Sequence, residues 1–188
     1  MKKAIILVCV VIGFSSSAQA VGLRVGMFFG IRTINDAALK DIYGQGTILN
    51  PYLSVEIGKD FGIGVGYELY NRSGTVKPYN ESARIKISGP EIFLSYSLNF
   101  GIIHPYVHAG YGFYSYEQTI ESDYLAGYAV NDKASGFLFA GGVNVKVFKP
   151  VEVSLELKYV PLNVRPFEDK VDLGGWRISA GLGLAFGI

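Results

Sequence analysis

From Arg177 to the last residue the chain reads "RISAGLGLAFGI", and large apolar residues alternate with small or polar ones. Ile178, Leu182, Leu184, Phe186 and Ile188 fall on one face, Ser179, Gly181, Gly183, Ala185 and Gly187 on the other. A two-residue period means a β-strand whose faces meet different surroundings. The same period returns along the chain, and residues 21–188 contain no long unbroken apolar run. If this chain enters a membrane, it has to do so as strands.

Alternation predicts about eight strands. The first, near Arg24 to Arg32, sets Val25, Met27, Phe29 and Ile31 against Arg24, Gly26, Phe28 and Gly30. The second, near Ile48 to Ile57, turns at "GKDFG" into a third that carries Ile63, Val65, Tyr67 and Leu69. The fourth begins with Ile85 and Ile87 against Arg84 and Lys86. After Gly89-Pro90 its apolar positions become Ile92, Leu94, Tyr96, Leu98 and Phe100, a change of phase that predicts a bulge. A turn near "GIIHP" leads to the fifth, with Val107, Ala109, Tyr111 and Phe113, and Lys149-Pro150 joins the sixth to the seventh. Long polar connections are expected after strands one, three, five and seven, the first with a short helix in its middle, and tight turns after two, four and six. That is an up-and-down meander with its long loops at one end, and closure removes both unpaired edges.

The N-terminal "MKKAIILVCVVIGFSSSAQA" combines two lysines, an apolar stretch from Ala4 to Phe14 and the small-residue site Ala18-Gln19-Ala20. Residues 1–20 are therefore expected to be a cleaved secretory signal, since the stretch falls short of the roughly 20 residues that cross a bilayer. Residues 21–188 form one expected domain. The only cysteine, Cys9, lies in the signal, so no disulfide is expected. A net charge of +1 without basic clusters argues against a nucleic-acid partner.

The less apolar face is mostly Gly, Ala and Ser, which suits the inside of a narrow barrel better than a surface in water. The bulky face needs no cover against lipid. On this assignment the lumen collects Arg24, Arg32, Arg84, Lys86, Lys146, Lys158 and Arg177 with Glu56, Glu68, Glu91, Glu152 and Glu156. An isolated charge in a low-dielectric tube costs several kcal/mol, so these groups are expected to pair across strands. The expected network is Arg24, Glu56, Glu68, Glu91, Lys146, Glu156, Lys158 and Arg177, with Arg32, Arg84 and Glu152 at the rims. Tyr67, Tyr96, Phe100, Tyr111, Phe113, Tyr159, Trp176 and Phe186 fall mostly toward strand ends, as membrane-interface aromatics do.

In its signal segment, strand count, loop asymmetry and closing strand, the chain resembles the small eight-stranded outer-membrane β-barrel proteins, the porin-like group that includes the OmpA transmembrane domain and OmpX. The resemblance implies an all-β, eight-stranded antiparallel up-and-down transmembrane barrel in the cell outer membrane of a Gram-negative envelope. It also implies lipid as surroundings and the outer-membrane assembly machinery as a transient partner, reading the last strand. That strand usually ends in Phe or Tyr in this group, whereas here the terminal residue is Ile188 and the aromatic is Phe186. The long loops, residues 33–46 and 117–134 above all, are the expected contact with any surface partner.

Catalysis is not expected. His104 is read as a solvated turn residue beside Pro105, and His108 as an inward, hydrogen-bonded ring. Lipid A deacylases use a His-Ser pair on such a barrel, and Ser179 is available here, but no histidine lies near it in sequence. Without Cys or His-rich spacing in residues 21–188, no metal or cofactor is expected. Two other readings remain open: a narrow or gated pore, and a soluble lipocalin-like barrel with its bulky face around a ligand.

Overall fold

The computed structural model describes residues 21–58, 60–77, 80–121, 128–165 and 171–187. The expected signal at 1–20, the tip of the third connection at 122–127, part of the fourth at 166–170 and Ile188 lie outside the described residues. Eight strands close into an antiparallel barrel: β1 (Val21–Arg32), β2 (Gly46–Ile57), β3 (Phe61–Val76), β4 (Glu81–Ser97), β5 (Ile103–Glu121), β6 (Tyr128–Phe148), β7 (Val151–Val160) and β10 (Gly175–Phe186). Each pairs with its sequence neighbour, and β1 pairs with β10 from Leu23↔Phe186 to Arg32↔Arg177. The expected meander and its closure are both present.

The alternation has the expected sense. Val25, Phe29, Leu53, Val65, Ile92, Leu94, Leu155, Ile178 and Leu182 are exposed on the outside, whereas Arg24, Ser54, Glu56, Ser154 and Ser179 are buried inside. Small interior residues let the large ones fit. A side chain at Gly64 would overlap the Phe93 ring, which lies across the lumen at that level.

The expected bulge at Gly89-Pro90 is absent. Pairing of β3 with β4 runs in one register from Phe61↔Tyr96 to Val76↔Glu81, and the register of β4 with β5 is the same on both sides of that step. Ile85 and Ile87 point inward and are fully buried, and Arg84 and Lys86 point outward and are exposed, the reverse of the lumen positions expected for those two cations. The chain does not change phase; its surroundings do. Beyond Ser88 the outside is polar and the inside is filled with apolar side chains. The register shift that does occur lies between Lys146 and Phe148, at the end of β6.

The connections after β3 and β5 are likewise not the long loops expected. β1, β2, β7 and β10 have 12, 12, 10 and 12 residues, close to the roughly 9–11 that cross a bilayer. β3 to β6 have 16, 17, 19 and 21, so four strands continue past the apolar belt as a projecting sheet. Both edges of that extension are covered. The helix α1 (Ala37–Tyr43) lies along β3, where Arg72 Nε donates to the Tyr43 carbonyl at 3.0 Å and a side chain at Gly74 would strike the Ile42 carbonyl. Along β6, the backbone N–H of Arg165 donates to Asp132 at 3.3 Å. Arg165 follows the two-residue strand β8 (Asn163–Val164), which pairs with β9 (Val171–Asp172).

The expected helix in the first connection is α1. The Asp36 side chain caps it by accepting from the Leu39 N–H at 3.0 Å, and Gly44 ends it at φ +61°. Its buried Leu39 and Tyr43 join Ile34, Ile85, Ile87, Tyr116, Leu162 and Leu173 in an apolar core that closes the loop end of the barrel. Burial raises the pKa of the Tyr43 phenol above its ordinary value, opposed in part by its hydrogen bond with Gln118. Asp36→Ala removes the cap and is expected to cost about 1 kcal/mol locally, seen as roughly fivefold faster amide exchange in α1 with the barrel unchanged.

Candidate functional site

Below that apolar core the lumen receives charged side chains from seven strands. At the turn end Arg24 of β1 bridges two carboxylates, Glu56 of β2 through Nη1 at 2.7 Å and Glu152 of β7 through Nε at 2.9 Å. Ser54 donates to the same Glu56 at 3.2 Å. Lys146 faces Glu152 across the β6–β7 ladder and is half-buried; among the described residues it makes no ion pair, so it stands at the margin of the network. Glu152 is only 1% exposed, not at a wet rim as expected.

Toward the loop end Glu68 of β3 accepts from both Arg32 of β1 and Arg177 of β10. Arg32, expected at the rim, is 2% exposed and also donates to the Leu173 carbonyl at 2.7 Å, which ties the fourth connection to the network. Glu91 of β4 accepts from Lys158 at 2.7 Å, Tyr114 at 2.8 Å and Asn50 at 3.2 Å, with Arg177 Nη2 at 3.5 Å. The Glu68 and Glu91 groups of the loop-end half are thus joined through Arg177. Five inward cations (Arg24, Arg32, Lys146, Lys158, Arg177) meet five inward carboxylates (Glu56, Glu68, Glu91, Glu152, Glu156), a balance that avoids a net charge in the tube.

Between the halves lies an aromatic layer. His108 stacks on Phe93 and on Tyr106, with centroids at 4.6 Å and 4.4 Å, and its Nδ1 is 3.6 Å from Glu156. Tyr106 donates to the same carboxylate at 3.2 Å, and Phe28 stacks on Tyr52 at 5.1 Å. The free space enclosed by Arg24, Phe28, Tyr52, Phe93, Tyr106 and His108 is about 10 Å³, room for about one water molecule. His104 is not a solvated turn residue: it is 3% exposed, with Nε2 2.9 Å from the Gly101 carbonyl. Ser179 lies across the ladder from Glu156, not beside a histidine.

The eight aromatics singled out in the sequence all lie on the outer surface, Tyr111 and Tyr159 half-buried and the others exposed. They fall in two groups. Tyr96, Phe100 and Phe186 lie toward the turn end, where Phe61 packs against Tyr96 at 5.1 Å. Tyr67, Tyr111, Phe113, Tyr159 and Trp176 lie toward the loop end, with Tyr159 against Trp176 at 4.9 Å and Tyr111 against Phe137 at 5.2 Å. Phe61 and Phe137, both on outward positions of their strands, also belong to these groups, beyond the eight expected from the sequence.

No family model and no curated protein sequence matches the chain. Solved structures do. The outer membrane protein OprG of Pseudomonas aeruginosa superposes with a TM-score of 0.69 at 13% identity, covering 90% of this chain and 97% of that one. The N-terminal β-barrel domain of OprF from the same organism gives 0.56 at 15% identity, over 89% and 98%. Ail, the attachment invasion locus protein of Yersinia pestis, solved with the heparin analogue sucrose octasulfate, gives 0.55 at 13% identity, over 88% and 99%. In strand number, order, closure and outward apolar belt, this chain has the fold of the small eight-stranded outer-membrane β-barrel proteins.

Proposed function

We propose that the chain is an integral outer-membrane protein, exported by residues 1–20 and inserted by the outer-membrane assembly machinery, whose lumen is closed to solutes and whose work is done at its exposed loop end. The observation that carries this reading is the division of the barrel into two chemistries. An outer belt of Val, Leu, Ile and Phe is exposed where a protein in water would need polar groups. Inside it lies a balanced set of charges, and at the stacked rings the enclosed free space is room for about one water. Paired charges that pin register across six strands also obstruct passage, because a solute would have to part Arg24 from Glu56 and Glu152 and then Glu91 from Lys158.

What lies beyond the belt supports a surface role. β3 to β6 carry a sheet clear of the bilayer, stiffened by α1 on one edge and by the segment around β8 on the other. Such a platform presents side chains with little ordering cost on binding. Ail was solved with an anionic saccharide analogue bound, which makes ligand recognition by a barrel of this fold a reasonable model for this chain.

Two measurements test the reading. The full chain inserted in lipid vesicles is expected to resist extraction by urea and to migrate on a detergent gel as a compact form until boiled; release into the urea wash would sink the membrane assignment. In planar bilayers it is expected to give no steady conductance. A steady open level that Glu156→Lys alters would replace the closed lumen with a gated pore.

A further inference from the structure

We propose that the loop-side boundary of the outer belt holds a seat for a lipid bearing a phosphomonoester headgroup, with Lys86 and Arg84 taking the phosphate and Phe29, Leu49 and Leu69 taking its acyl chain. The inference rests on the membrane reading above. A groove of about 470 Å³ runs down the outside of β1 to β4. Phe29, Leu49 and Leu69 line its belt side, and Thr47, Asn71 and Lys86 its far side. The strand register puts this change of chemistry at one height, with Leu49 opposite Leu69, Thr47 opposite Asn71 and Asn71 opposite Lys86. An amphipathic molecule lying along the strands would meet carbon below and donors above.

The charge at that height has the sign a phosphate needs. Lys86 and Arg84 are two positions apart on β4, both outward and exposed, with Asn71 and Ser73 of β3 facing them. Among the described residues no carboxylate pairs with Arg84. Glu117 of β5 lies on the other flank of Lys86 at 3.6 Å, and a pair of that length and exposure holds the ammonium only weakly. Cations at a bilayer surface attract anionic lipid by about fivefold each. Neither residue is needed to hold the barrel together: the lumen network excludes both, and the apolar core behind them is built from Ala83, Ile85 and Ile87.

The test uses the full chain in phosphatidylcholine vesicles that contain a few per cent of either phosphatidic acid or diacylglycerol, lipids that differ in the phosphate alone. Lipid retained by the extracted protein is measured by native mass spectrometry. Phosphatidic acid is expected to be enriched about 25-fold over diacylglycerol. Lys86→Ala is expected to lower that enrichment about fivefold and Arg84→Ala/Lys86→Ala to abolish it. Glu117→Gln is expected to raise it, an effect no loss of structure would give, and Lys133→Ala, outside the groove, to leave it within twofold. Equal retention of the two lipids, or undiminished retention by the double variant, overturns the proposal while leaving the membrane reading intact. Competition by inorganic phosphate at matched concentration overturns it in favour of a free-anion site. Failure of the native chain to enter vesicles at all overturns the membrane reading and the proposal with it.

Discussion

Glu68→Gln is expected to destabilise the folded barrel by about 3–5 kcal/mol, the usual cost of breaking a buried ion pair from one side. Glu68 is fully buried and accepts from two guanidinium groups, Arg32 and Arg177. The neutral amide keeps the volume but leaves both cations facing each other in a low dielectric. Arg177 would retain only the 3.5 Å contact with Glu91, which is already shared with Lys158. Unfolding in urea from lipid vesicles, followed by the fluorescence of the single tryptophan Trp176, measures the change. The triple variant Arg32→Met/Glu68→Leu/Arg177→Met is the companion experiment. It removes the triad as a unit and leaves Glu91 with Lys158, Tyr114 and Asn50, so it is expected to recover most of the loss. A Glu68→Gln barrel within about 1 kcal/mol of the native one would mean that water reaches these groups and that the lumen is wetter than its geometry implies.

The barrel was legible because alternation with a bulky outer face and a small inner face has few other solutions. Strand count, meander, closure and the inward position of Arg24, Glu56, Glu68, Glu91, Glu156, Lys158 and Arg177 all follow from parity along single strands. Parity alone does not tell which medium each face meets, and the reading of β4 failed there. Ile85 and Ile87 read as lipid-facing because they are apolar, yet they sit on the same face as Glu91, Phe93 and Ser95. Past Ser88 the outer medium is water and the inner one an apolar core, so hydrophobicity inverts while geometry does not. The same inversion makes the outer ends of β3 to β6 read as polar loops. It also moves Arg84 and Lys86 from the expected lumen to the outer surface. Arg32 and Glu152 are buried, against expectation, for another reason. A position near a strand end looks wet in sequence, but at the loop end α1 and the Leu173 segment cover Arg32, and at the turn end Arg24 reaches across the lumen to Glu152; only the folded structure reveals either cover.

The orientation of the two faces can be tested at one residue. Leu155 is the midpoint of β7, points outward and is 59% exposed. In water, replacing so exposed a side chain with arginine changes stability by no more than about 0.5 kcal/mol. At the midplane of a bilayer the same replacement costs about 2–4 kcal/mol, because the guanidinium has to be dehydrated or drag water and headgroups inward. Leu155→Arg is therefore expected to lower unfolding free energy in vesicles by about 2–4 kcal/mol. Thr119→Arg, on the outward face of the projecting sheet, is expected to stay within about 0.5 kcal/mol. The contrast between the two sites carries the argument, since a general intolerance of arginine would lower both. Equal, small effects would place the bulky face in water and return the soluble, ligand-filled barrel as the better description. Large loss at Leu155 with none at Thr119 fixes the bilayer to the belt between the two aromatic groups, and leaves the β3–β6 sheet outside it.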